Sequence, residues 1–168
     1  MDEYDFKGDN TPALEVEQET EVKHNSVTLN AKVRNDYGYP VSEKGFYYAT
    51  TEEKLKEARF RKTIVSSLQG KGAYSVLLKR LQPNTTYYYL PFATNAEGTA
   101  IGRTVSHFTT APAVAATVLT SEEVASTAYQ LTFNATVPDD GGYPITQYGF
   151  VYASHSSPTL SDSKESFT

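Results

Sequence analysis

The chain has no cysteine and no tryptophan. Without cysteine there is neither a disulfide framework nor a thiolate-ligated zinc site. That absence does not fix the compartment, because a full-sized domain can be stable outside the cell without covalent staples. No apolar run reaches the roughly 18 residues a membrane-spanning helix needs, so no membrane span is expected in this segment. A concentrated basic face is also missing: 15 Lys and Arg are scattered among 20 Asp and Glu, for a net charge of −5. The longest basic stretch, Lys54 to Lys62, is interleaved with Glu52, Glu53 and Glu57. It reads as a solvated helix face, and no nucleic-acid partner is expected. The opening MDEYDFKGDNTP is acidic and polar, the opposite of a signal peptide, so an export signal would lie upstream.

Catalytic signatures are absent too. There is no G-x-S-x-G elbow, H-E-x-x-H helix or phosphate loop. His24, His107 and His155 are dispersed and sit in no motif. Asp139-Asp140 could pass for a carboxylate pair, but neighbouring turn residues point differently, the first copy has Asn35-Asp36 there, and Asp and Asn both suit a turn. Asn84-Thr85-Thr86 and Asn134-Ala135-Thr136 match the glycosylation triplet. The match reads as chance, with Asn84 explained by a turn. The chain is therefore read as non-enzymatic, with no catalytic residue, no cofactor and no metal site.

What is present is aromatic, repeated and strand-like. There are 13 Tyr and 8 Phe, residue types that suit pleated, half-buried surfaces. Residues 27–49, VTLNAKVRNDYGYPVSEKGFYYA, recur 104 positions later as LTFNATVPDDGGYPITQYGFVYA, with 12 of 23 positions identical and no gap. A fixed period marks a modular array in which each unit is one domain. The second copy stops at Thr168, equivalent to position 64 of the first. The chain is therefore read as part of a larger tandem-repeat protein.

Residues 1–11 read as a flexible lead-in. Strands are predicted over Ala13 to Val22 and over Ser26 to Arg34, where Val27, Leu29, Ala31 and Val33 alternate with polar residues. NDYGYP is a turn, and Glu43 to Thr50 is the next strand. TTEEKLKEAR, residues 50–59, reads as a short rim helix, capped by Thr50 with Glu53 closing a capping box. Gly70 to Gly72 is a turn, Ala73 to Leu81 a strand, and the remainder to Thr110 a loop, a strand, a Gly-centred hairpin and a final strand. About seven short strands in about 100 residues argue a two-sheet antiparallel sandwich. Residues 111–113 form a short linker that should restrict the relative orientation of neighbouring modules. Residues 114–168 restart the pattern as a partial copy, with about four of seven strands and therefore unpaired edges.

Leu81-Gln82-Pro83-Asn84-Thr85-Thr86-Tyr87 resembles the L-x-P-x-T-x-Y signature of fibronectin type III domains. The upstream pattern D-x-G-Y-P-V/I-x-x-x-G-F-x-Y is similar to fibronectin type III-like modules of Bacteroidetes surface and secreted proteins. The resemblance covers residues 12–110 as a complete module and the second copy in part. It implies an immunoglobulin-like sandwich in which Leu81, Pro83, Thr85 and Tyr87 form a tyrosine corner, with the Tyr87 hydroxyl bonded to nearby backbone. Many members carry Trp where this chain has Ala31. The core is then left to Phe46, Tyr48, Tyr87 and Tyr89.

If those four face inward, Tyr47, Tyr88, Leu90 and Phe92 face outward on two neighbouring strands. That gives an exposed aromatic-aliphatic stripe, a candidate docking site for a sugar ring, a protein or the adjacent module. The alternative is ordinary cross-strand pairing, worth about 0.2–1 kcal/mol per pair. The expected function is a non-catalytic extracellular or cell-surface module, a spacer or binding unit in a multidomain protein. The alternative function is an accessory module of a secreted carbohydrate-active enzyme. The expected partners are adjacent modules of the same parent chain and a glycan or protein ligand.

Overall fold

A computed structural model of the chain describes residues 10–120 and 125–168. The lead-in expected over 1–11 lies outside the described residues as far as residue 9. The chain divides into two compact units, Met1–Pro112 and Ala113–Thr168. No helix among the described residues is long and apolar enough to cross a membrane.

Among its described residues the first unit is all-β apart from one helical turn. In chain order it contains β1 (Ala13–Thr20), β2 (Ser26–Asn35), β3 (Glu43–Ala49), α1 (Glu52–Lys56), β4 (Lys62–Val65), β5 (Gly72–Lys79), β6 (Thr86–Asn95), β7 (Gly98–Ile101) and β8 (Ser106–Thr109). One sheet has the order β1-β2-β5. The other has the order β4-β3-β6-β7, with β8 also on β6. All pairings are antiparallel. β7 pairs with Phe92–Asn95 and β8 with Thr86–Tyr89, so the two share one edge of β6 end to end. This is the immunoglobulin-like sandwich the resemblance implied.

Alternation builds the core. β2 buries Val27, Leu29, Ala31 and Val33, and β5 buries Tyr74, Val76 and Leu78 from the same face. Opposite them lie Phe46, Tyr87, Tyr89 and Ala93, with Phe108 from β8 and Leu81 from the loop before β6. Phe46 meets Tyr74 at 5.4 Å and Tyr89 at 6.0 Å between ring centroids. Tyr48 is only partly buried, at the margin of this cluster.

Several local readings change, among them the strand expected over Ala73 to Leu81, which ends at Lys79 where Arg80 takes a φ of 61°. The first strand ends at Thr20, two residues early, where Glu21 takes a φ of 52°. β4 has no counterpart in the sequence reading; its four residues KTIV are mostly exposed, and so short a strand shows no alternation. The helix is shorter than expected and is capped by Thr51, whose Oγ1 accepts from Lys54 N at 3.3 Å, rather than by Thr50. With Thr51 as cap the third helical position is Lys54, so no capping box with Glu53 can close.

The second unit holds β9 (Thr117–Thr120), β10 (Ala125–Ser126), β11 (Leu131–Thr132), β12 (Ala135–Asp139), β13 (Tyr148–Tyr152) and β14 (Ser163–Phe167). These form three separate ribbons, β9 with β12, β10 with β11 and β13 with β14. The β9–β12 pair repeats the β1–β2 register at the 104-residue offset, whereas β14 is displaced by three residues relative to β4. Ala135 faces Thr120, Thr136 faces Leu119 and Asp139 faces Thr117, as Ala31 faces Val16, Lys32 faces Glu15 and Asn35 faces Ala13. Tyr152 pairs with Ser163 where Tyr48 pairs with Lys62. A Cβ on Gly45 would lie 2.1 Å from Ile64 O, and one on Gly149 would lie 2.1 Å from Glu165 O. Both copies keep glycine there because the outer strand's backbone occupies the space a side chain would need.

Candidate functional site

The outer face of the β4-β3-β6 sheet carries the candidate stripe. β3 and β6 are neighbours, with Tyr47 opposite Leu90, Gly45 opposite Phe92 and Ala49 opposite Tyr88. The four stripe residues therefore do share one face. They are not all exposed, however: Leu90 retains 8% and Phe92 1% of their accessible surface. The correction has a clear cause. Leu55 of α1 is fully buried, forming a second small core with Ala49 and Leu90, against which Tyr47, Tyr88 and Val105 pack. Tyr47 stacks flat on Phe92, with centroids 4.4 Å apart and planes 17° apart.

What remains reachable is a pair of half-buried rings with cationic and polar neighbours. The Arg61 guanidinium lies 3.8 Å above the Tyr47 ring, making a three-layer stack of Arg61, Tyr47 and Phe92. Tyr88 meets the exposed His107 at 5.8 Å. Leu55 is the signal the sequence reading missed: it is the one large apolar residue between Thr50 and Arg59, held above an aromatic strand pair.

The tyrosine-corner residues sit together at the start of β6. Gln82 N–H donates to Tyr87 Oη at 2.9 Å, and the Thr85 hydroxyl donates to Pro83 O at 2.9 Å. Leu81 and Tyr87 are buried. A further residue completes the clamp. The buried Thr110 hydroxyl donates to Gln82 O at 2.7 Å and accepts from Thr85 N–H at 3.0 Å. Asn84 takes a left-handed φ of 47° at the tip, which suits asparagine. Ala111, assigned to the linker from sequence, accepts from Asn84 N–H and donates to Lys23 O, tying it into the first unit.

Lys44, Tyr74 and Tyr89 are ionisable groups buried in the core region. Lys44 is 1% exposed, with its Nζ donating to Gly70 O at 2.8 Å and lying 5.0 Å from the Tyr74 centroid. Desolvation holds its pKa below the ordinary lysine value. The Tyr74 hydroxyl donates to Gly45 O and Phe92 O, and the Tyr89 hydroxyl donates to Glu19 Oε2 at 2.8 Å. Burial drives both phenols well above the ordinary tyrosine range, and for Tyr89 the Glu19 carboxylate adds to the effect. Every one of these polar atoms is aimed at protein backbone or a side chain, the arrangement of a satisfied interior.

In the second unit the stretch matching α1 is a loop organised by Asp162. Its Oδ2 accepts from Thr159 N–H at 2.7 Å, and its Oδ1 lies 3.1 Å from His155 Nε2. Bonding to the Ser156 carbonyl and to Asp162 raises the His155 pKa. Asp139 and Asp140 cap the turn at Gly141 and Gly142, each Oδ1 accepting a backbone N–H at 2.9 Å two residues on.

No family model matches the chain, and no curated protein matches it. Among solved structures, it is similar to the sensor domain of the anti-sigma factor RsgI4 of Pseudobacteroides cellulosolvens, at 17% identity over 60% of this chain and 95% of that one, TM-score 0.45. It is similar to the third fibronectin III domain of human KIAA0343 protein, at 16% identity over 67% of this chain and 94% of that one, TM-score 0.45. It is also similar to the FN1–FN3 domains of chicken CNTN1, at 16% identity over 94% of this chain and 55% of that one, TM-score 0.42.

Proposed function

We propose that this chain is a non-catalytic structural module, a spacer or binding unit in a multidomain protein at the cell surface. The observation that carries the reading is the repeat itself. Two units built on one strand register follow each other at a spacing of 104 residues. In the first, the hydroxyls of Tyr74, Tyr87 and Thr110 are all engaged with main chain. Such groups fix loops and strands, which is a structural use of a hydroxyl. Protease shaving of intact cells carrying the parent protein tests the location. Release of peptides from this module is the expected result, and their complete retention inside the cells overturns it.

One observation favours the second reading, an accessory module of a secreted carbohydrate-active enzyme. Tyr88 presents a half-buried ring beside the exposed His107, on the face where the Arg61 guanidinium lies over Tyr47. A ring face with adjacent hydrogen-bonding groups suits a sugar, whose apolar face stacks while its hydroxyls are bonded. A glycan panel decides between the readings: binding lost in Tyr88→Ser supports the accessory role, and no binding at all removes it.

A further inference from the structure

In the first unit, spare hydrogen-bonding capacity gathers on one face. Inside the sandwich the hydroxyls of Tyr74, Tyr87 and Tyr89 are all engaged within the protein. The outer face of the β4-β3-β6 sheet is different. Among the described residues, the Arg61 guanidinium, the Tyr47 and Tyr88 hydroxyls and the His107 ring nitrogens have no hydrogen-bond or ion-pair partner. These groups lie in a row across three strands. His107 on β8 stands directly opposite Tyr88 on β6, and Tyr47 on β3, whose own opposite is Leu90, is diagonal to Tyr88. Such diagonal neighbours are about 7–8 Å apart, within reach of long side chains. The row is also held still. Tyr47 is clamped between Arg61 and Phe92, and both tyrosines pack against the small core around the buried Leu55. Binding to groups already fixed in place costs little ordering of side chains.

Charge selects the occupant. The chain as a whole carries −5, yet between Glu52 and Lys62 five Lys and Arg stand against three Glu. Among the described residues, Glu52 is paired with Lys56 and Glu57 with Arg59, which leaves Lys54, Arg61 and Lys62 against Glu53 alone. Guanidinium donors all lie in the plane of the group, so contact with a ring through its face leaves the fork open to a carboxylate. The second copy shows that the strand pair does not need this stack. Val151 stands in place of Tyr47, and Asp162 precedes β14 where Arg61 precedes β4, yet β13 and β14 pair antiparallel as β3 and β4 do. A peptide ligand is disfavoured, because extended peptides are read through pockets for alternate side chains, and Leu55 fills the middle of this face.

On the reading of the chain as an accessory module of a carbohydrate-active enzyme, we propose that this row binds an acidic oligosaccharide, with a uronate carboxylate on Arg61 and neighbouring sugars on Tyr88 and His107. The test titrates the full chain with trigalacturonate and follows its amide NMR signals. Those of Tyr47, Arg61, Tyr88 and His107 should shift. The fully methyl-esterified trisaccharide, the same sugar without its charge, should bind at least about 10-fold more weakly, as expected for losing one charge-assisted contact. Arg61→Gln should weaken trigalacturonate binding to the same degree and leave the affinity for the ester unchanged. Arg61→Lys keeps the charge without the fork and should fall between the two. Equal affinity for acid and ester overturns the acidic assignment while leaving the accessory reading in place. No binding of trigalacturonate, its ester or a neutral cello-oligosaccharide overturns both. Tighter binding of hexaglutamate than of trigalacturonate overturns the proposal in favour of an acidic peptide.

Discussion

At the scale of single residues, hydroxyls carry much of the architecture. Tyr87 buries its ring between the sheets and spends its oxygen on the backbone of Gln82. Removing that oxygen leaves a buried donor without a partner, which costs about 1–3 kcal/mol. Tyr87→Phe should therefore lower the stability of the first unit by that amount in urea titration, with no change in the slope of the transition. An unaffected midpoint would mean that water replaces the hydroxyl. Tyr74 and Tyr89 make stability depend on alkali. Their folded pKa values lie above the unfolded value of about 10, so their contribution is complete below pH 10 and is lost as pH rises beyond it. Lys44 acts in the opposite sense. Its folded pKa is depressed, so the cost of burying its charge is relieved as pH climbs from that lowered value toward about 10.4. Urea midpoints measured from pH 8 to 12 should fall above pH 10, and Tyr74→Phe should fall less steeply than the native chain.

Among the elements, α1 shows how little sequence a structural role can need. Five residues form its helical turn, and only Leu55 faces inward, yet that side chain closes the outer face of the sheet over Leu90 and Ala49. Leu55→Ala should cost about 2–5 kcal/mol, the range for truncating a buried leucine. It should also raise the solvent accessibility of Tyr47 and Tyr88, read by tyrosine fluorescence quenching. A loss below 1 kcal/mol would mean that α1 rests on the face without sealing it. The strands were legible because a period of two over eight or ten residues is hard to produce by other means. β4, with four residues at an edge, and α1, with one apolar side chain, show no period at all. The candidate stripe was half legible for the same reason. Alternation placed Tyr47, Tyr88, Leu90 and Phe92 on one face, but could not show that a turn of helix from beyond the strand would cover part of it.

Taken whole, the molecule pairs a filled sandwich with a half-filled one. The first unit has a continuous two-sheet core; the second has three two-stranded ribbons with most of its large apolar residues exposed. Isolated two-stranded ribbons are marginal in water. Limited proteolysis should consequently cut first within residues 113–168 and leave a resistant core ending near Pro112, identifiable by mass spectrometry. Early cleavage inside residues 26–95 would contradict this ranking. The repeat was readable at a glance, since identical residues at a fixed offset need no structural theory.

The paired glycines have one more consequence. A β3-type strand can exchange most of its side chains as modules diverge, but a methyl group at Gly45 or Gly149 meets the neighbouring carbonyl at once. Drift elsewhere will erase the resemblance between distant modules before it touches that point. In a longer polypeptide of this design, the Gly-Phe doublet is the tally mark by which its domains can be counted.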